Sequence, residues 1–427
     1  MQNVQYSWIA LILTFATLLS NPLPAFAQFK INPKLKAVGE CVSEPGTVIV
    51  YRNKEWGVAG KKILPGSTLM ALPGLTGQVN LAGGKAALLL EGNLPGTTPS
   101  PALESQVLML SAKKADAELA LEHGRIRLLN PGKKEAVAIK VRFLEQTWTL
   151  TLSPGSNVLM ESNSTWPTGS VLPMKISDKQ TPVTFVFALC EKGTADLHTT
   201  KGKKHSLTEQ TIFQWNSEVE NKDAKPLKLS AKVSWTPKLN AEIMKVQANM
   251  KQIGATLAKP GVSLPKTAMM YIKGQDKSQR LAGVLATAAA DSPQLLLDGV
   301  ADPNHPSLRN AAVLVLRYWV SQDRSNSLRM YRVLLQNNMS ESDAQIFLNI
   351  LPGISTQDAS RLETYESLIS LLNHSDLPVR QVAYWNLIRL MPDGIKIAYD
   401  PAAAEAARAK ATNAWTQFVQ KKVKTQK

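Results

Sequence analysis

The hydrophobic period of the chain changes once, and that change decides what the chain can fold into. Before Trp215 apolar residues recur at every second position. Trp148, Leu150 and Leu152 alternate with Thr147, Thr149 and Thr151; Phe185, Phe187 and Leu189 alternate with Thr184, Val186 and Ala188. A period of two suits a pleated strand, whose successive side chains leave opposite faces. Turn signals separate such runs: Pro65-Gly66, Pro73-Gly74, Gly83-Gly84, Pro131-Gly132, Pro154-Gly155 and Lys201-Gly202. Many short strands with frequent turns predict an antiparallel β sandwich or roll. Residues 93–102 (NLPGTTPSPA) read as a loop.

After Trp215 the alternation stops. Leu239, Ile243, Val246, Met250 and Ile253 fall on one face at helical spacing, so an amphipathic helix docks on a neighbour there. From residue 265 onward the chain reads as helices. HPSLRNAAVLVLRYW (305–319) is similar to DLPVRQVAYWNLIRL (376–390), at an offset of 71 residues. SQRLAGVLATAAA (278–290) and SDAQIFLNIL (342–351) are weaker copies between them, which makes the repeat about half that offset, the size of a paired-helix unit. A turn with Asp and Pro followed by V-R-x-x-A-x-x-x-L resembles the HEAT/armadillo class, which implies an α-helical solenoid whose repeats bury one another's apolar sides. Asp400 and Pro401 fit an N-cap and first position of a last, capping helix, with Trp415 and Val419 on its docking face.

The expected organisation is therefore multidomain: a signal peptide over 1–27, a β domain over 28–217, a linker with the amphipathic helix over 218–264, and helical repeats over 265–427. The signal rests on the uncharged apolar run Trp8 to Leu19, ended by Pro22 and Pro24 and followed by Ala25-Phe26-Ala27. That run is short of the roughly 20 residues a spanning helix needs. Cleavage after Ala27 places the mature chain outside the cytoplasm; an uncleaved segment is the alternative and the only membrane attachment expected. Residues 1–7 carry no Lys or Arg.

Export bears on the charge and on the thiols. A net charge of +16 favours acidic partners: wall polymers, acidic polysaccharide or acidic proteins. Nucleic acid is disfavoured outside the cytoplasm. Cys41 and Cys190 could form one disulfide in an oxidising compartment, or stay as two buried thiols.

No catalytic set emerges, and no cofactor or metal is expected. Gly83-Gly84-Lys85 lacks the first Gly and the Ser or Thr of a phosphate loop, with Val79 and Ala86 at those places. Ser111-x-x-Lys114 matches a serine nucleophile motif but ends a strand-like run, where the Lys does not sit one helical turn away. His198 and His205 flank a basic hairpin turn, and positive neighbours oppose a cation there. In ELALEHGRIRLLNPG (118–132), Glu122 and His123 point to opposite faces of a strand that Gly124 bends, with Arg125 and Arg127 outward. Three residues remain as candidate ligand contacts. Trp166, in the polar loop SNSTWPTGS, could stack on a sugar. Arg309 and Arg380 hold equivalent places in two repeats, where bonding to the preceding turn is the competing reading.

The order of the β segments carries a second resemblance. GTVIVYRNKEWGVAGKKILPGSTLMALPGLTGQVNLAGGKAALLLEG, then AELALEHGRIRLL, then VTFVFALCEKGTADLHTTKGKKHSLTEQTIFQW resembles the periplasmic domain of FecR-type proteins. The resemblance implies an extracytoplasmic β domain that contacts other proteins, in that family passing an envelope signal to a membrane sigma regulator. It brings no catalytic residues. Only seven residues precede the apolar run here, and the helical half lies outside that family's plan. The expected role is a non-enzymatic envelope module that binds or scaffolds other proteins, or senses a signal through them, with cell-wall carbohydrate or anionic polymer as the alternative ligand.

Overall fold

A computed structural model describes residues 36–425 apart from 53, 99–100, 220–223 and 232–238. The proposed signal segment lies outside the described residues. From Ala37 onward the chain forms one unit, with a large mixed sheet of seventeen strands followed by ten α-helices among the described residues. No described helix is long and apolar enough to cross a membrane.

The sheet is built around one strand, β9 (Ala117–Leu129). Its first half lies between β8 (Ser105–Leu110), antiparallel, and β10 (Val137–Phe143), parallel. Its second half lies between β7 (Ala86–Glu91) and β12 (Asn157–Thr165), both antiparallel. The handover falls at Gly124, which has φ +89°. A Cβ there would stand 2.2 Å from the Glu104 carbonyl oxygen, so the residue must be glycine on two counts. The register with β8 slips at the same place: Gln106 faces His123 while Val107 faces Leu121. The bend read from the sequence is thus a strand changing partners.

Two runs of strands diverge from β9. One continues from β12 through β13 (Val183–Lys192) and β16 (Thr211–Asn216), and on its other side from β7 through β6 (Thr76–Leu81) to β1 (Gly39–Cys41). The other holds β2 (Ile49–Arg52), β5 (Thr68–Ala71), β8, β10, β11 (Gln146–Leu152), β14 (Thr194–His198) and β15 (Lys204–Thr208). One apolar cluster draws on both runs, including Leu119 and Leu121 from the first half of β9 and Ile126 and Leu128 from the second.

The helices form as the period predicted. Helix α1 (Ala241–Thr256) buries Val246, Met250 and Ile253, and its Asn240 cap accepts from the Ile243 amide at 2.9 Å. The similar segments become α5 (Pro306–Gln322) and α9 (Leu377–Leu390), each with Pro in the first turn. The last helix, α10, spans Glu405–Thr425 and buries Trp415 and Val419 as expected. Its start differs from the expectation: Asp400 and Pro401 precede the helix, and Asp400 Oδ1 accepts instead from the Ala402 amide and from Arg309.

The two halves share a core. Ile49, Met70, Leu72, Leu94, Leu103 and Trp166 from the β half belong to the same apolar cluster as Leu308, Leu316 and Val320 of α5. Helix α1 lies so close that Gly254 and Gly46 meet backbone to backbone, and Gln247 Nε2 donates to the Gly74 carbonyl at 2.7 Å. The segment 218–264 therefore does more than link.

Gly124→Ala is expected to lower unfolding free energy by at least about 2 kcal/mol, through strain and the clash with Glu104. Gly60→Ala, at an exposed position with open space around it, is expected to change it by no more than about 0.5 kcal/mol. Urea unfolding of the two variants measures the difference.

Candidate functional site

Because β9 leaves β12 at Gly124, the outer face of these strands is open to the helical half. Arg125 and Glu161 are cross-strand neighbours there and are 0% and 4% exposed. Arg125 was expected outward; it does leave the apolar cluster between the runs, but it is buried. Its Nε and Nη2 donate to Glu161 Oε2 at 2.9 and 2.8 Å, and Nη1 reaches Asn93 Oδ1 at 3.4 Å. Beside this pair, His123 Nε2 approaches Glu104 Oε1 to 3.2 Å, so its carboxylate neighbour is Glu104 rather than Glu122. Tyr318 of α5 closes the cluster. Burial, with the Glu104 carboxylate adding to it, pushes its phenol well above the ordinary value.

Arg127 carries the network outward. It meets Glu91 at 2.8 Å and Glu191 at 2.7 Å, and Asn157 Nδ2 donates to Glu191 at 2.9 Å. Burial raises the Glu91 carboxyl in spite of Arg127.

The expected ligand contacts are placed differently. Trp166 is only 5% exposed and is not available to stack on a sugar. Its Nε1 donates to the Val320 carbonyl at 3.1 Å and its amide to Ser321 Oγ at 3.3 Å, so it locks the β half to α5. Arg309 and Arg380 take the turn-bonding role. Arg309 is fully buried; its Nη1 donates to the Asp302 carbonyl at 2.8 Å and its Nε to Gln381 Oε1 at 2.9 Å. Arg380 donates to the Ser375 carbonyl at 2.6 Å and the Pro401 carbonyl at 2.7 Å. Arg309 thereby ties α5 to α9, and Arg380 ties the turn before α9 to the approach to α10.

The cysteines are free. Cys41 in β1 and Cys190 in β13 are separated within one run by β6, β7, β9 and β12, five strand steps, or roughly 24 Å along the sheet. A disulfide brings Cα atoms within about 7 Å, so of the two alternatives the thiols stay free. Burial raises the Cys190 thiol to about 11.

The rejected motifs also have structural places. Ser111–Lys114 forms the β8–β9 turn, with no helix to align Ser111 and Lys114. Gly83-Gly84 makes the turn from β6 to β7, where Lys85 pairs with Glu135 at 3.0 Å. His205 lies over Phe213, ring centres 4.5 Å apart, beside the hairpin that also carries His198. Asp343, His374 and Asp376 are close enough to suggest a cation site. However, His374 Nδ1 accepts from the Asp376 amide at 3.0 Å, so a neutral ring carries its proton on Nε2, facing Asp343 at 3.1 Å. Neither nitrogen offers a free lone pair.

The cavity that matters lies at the seam of the halves. It measures about 370 Å³ and is lined by the end of β12 (Asn163, Thr165), the loop residues Pro95 and Pro101, and one face of α5. That face is Leu314, Arg317, Tyr318 and Ser321, the spacing of successive helical turns. Arg317 is the one charged residue in the lining among the described residues. Nothing in the local sequence marks it out, although it sits eight residues past Arg309, two helical turns along α5. A second groove of about 280 Å³ is lined by Trp148, Phe213, Trp215, His205, Lys201 and Lys203.

No family model, curated protein or solved structure matches the chain.

Glu161→Gln, which strips Arg125 of its closest buried counter-charge, is expected to cost about 3 kcal/mol, and the double change Arg125→Met/Glu161→Met less than that. Chemical denaturation of both proteins decides this. Alkylation in denaturant without reductant is expected to label both cysteines; in the native protein near pH 8, Cys190 is expected to stay unlabelled.

Proposed function

We propose that the chain is a non-enzymatic, exported scaffold of the cell envelope that binds other proteins, a FecR-like β sandwich fused to HEAT-like helical repeats. The carrying observation is the seam cleft. It has the size of a ligand site, yet among the described residues no His, Cys, Lys, Asp or Glu lines it, and none stands as a general base beside its Ser and Thr hydroxyls. The polar clusters elsewhere support the same reading, because Arg309 and Arg380 are committed to holding turns together. The apolar cluster shared by the halves supports a rigid scaffold: a bound partner meets a preformed surface rather than two swinging modules.

A second reading, carbohydrate or anionic wall polymer, draws on the groove at Trp215. There aromatic faces and basic side chains converge in a chain of net charge +16.

Crosslinking in the native envelope, with partners identified by mass spectrometry, tests the first reading. Discrete protein partners are expected, with a mature N-terminus at Gln28; crosslinks to no protein would remove it. Retention on peptidoglycan or acidic polysaccharide that falls with salt and with Trp215→Ala would instead establish the second.

A further inference from the structure

We propose that the seam cleft binds an extended peptide segment bearing a carboxylate, which adds to the open edge of β12 and pairs its charge with Arg317. This rests on the protein-binding reading above and locates it.

The first observation is an unfinished strand edge. β12 pairs with β13 along its whole length, up to Thr165 opposite Val183. On its other side it pairs with β9 only up to Ser162, opposite Gly124. Beyond that point β9 has crossed to the other run, so Asn163 to Thr165 have no strand on that side among the described residues. These three residues line the cleft. An open edge inside a cleft is suited to accept one extended chain by main-chain hydrogen bonding. The Asn163 side chain adds an unmet group: its Oδ1 is buried and has no hydrogen-bond partner among the described residues. A peptide N–H would satisfy it.

The second observation is an uncompensated cation on the opposite wall. Arg317 donates from Nη1 to the Leu351 carbonyl and from Nη2 to the Pro352 carbonyl at 2.7 Å. These bonds fix its guanidinium and use two of its five N–H groups. Its carbon lies 4.4 Å from the centre of the Trp385 ring, which Arg389 shares at 4.5 Å. No carboxylate pairs with either arginine among the described residues. Burial first, and Arg389 second, lower Arg317 to about 10, in accord with a charge that has no counter-ion. A fixed guanidinium with spare donors in a largely apolar cleft selects a carboxylate. Trp166, Leu314 and the prolines 95 and 101 supply apolar wall for the side chains between.

The test is equilibrium binding of the full mature chain to three octapeptide mixtures of randomised sequence. One ends in a free carboxylate, one is C-terminally amidated without acidic residues, and one is amidated with a central Glu. Retention of the first or the third above the second is expected, and which of them is retained tells whether a chain terminus or a side chain supplies the carboxylate. Arg317→Met and Leu314→Trp are each expected to weaken that retention about tenfold or more. Leu314 is 38% exposed, so the Trp change fills the cleft without touching the core, and an unaltered melting curve confirms this. Equal retention of all three mixtures, no retention of any, or wild-type retention by Leu314→Trp overturns the proposal, as does binding of dextran sulfate alone. If envelope crosslinks persist in Leu314→Trp, the cleft assignment falls and the scaffold reading stands; if the wild type gives no crosslinks, the scaffold reading falls by itself.

Discussion

Gly124 is the position on which the rest depends. One strand, β9, serves both runs of the sheet, and it can do so only by turning sharply where Glu104 presses against its backbone. A side chain at that point would have to displace a carbonyl and adopt a left-handed conformation that most residues resist. From the turn follow the two diverging runs, the apolar cluster between them, and the outward placement of Arg125 and Arg127.

The same turn prepares the seam. Just before β9 leaves, Arg125 and Glu161 pair across the strands, both buried, and Tyr318 of α5 lies near Glu161. A buried ion pair of this kind adds little net stability, since desolvation offsets much of the attraction. The seating of α5 is set instead by Trp166, through Val320 and Ser321. The attraction between the halves itself comes from the shared apolar cluster. The cleft remains because neither half fills the corner that β9 vacated.

Much of this was legible in the sequence, for physical reasons. Alternation in 147–152 reports a pleated strand with one face buried, and β11 follows it; β13 also forms, but its core face is Val186 and Ala188 rather than Phe185, which is 47% exposed. The His198–His205 hairpin and the buried face of α10 at Trp415 and Val419 were equally local. What escaped was tertiary. Trp166 sits in a string of polar residues, and no local pattern reports that α5 lies over it. Arg125 alternates like a solvated residue, because a period of two tells strand core from strand surface, not surface from interface. Cys41 and Cys190 both fall in strands, but their separation across the sheet depends on strand order, which the sequence does not display. Asp400 matched a helix cap in type and spacing, yet the buried Arg309 of α5 claimed it.

The β half and the helices are one body, joined at β12 and α5. Native-state hydrogen exchange read by mass spectrometry tests it directly. Amides of 157–165 and of 306–322 are expected to exchange through the same opening, with equal free energies and equal dependence on denaturant. Opening of 306–322 at a distinctly lower free energy, with 157–165 still protected, would contradict it.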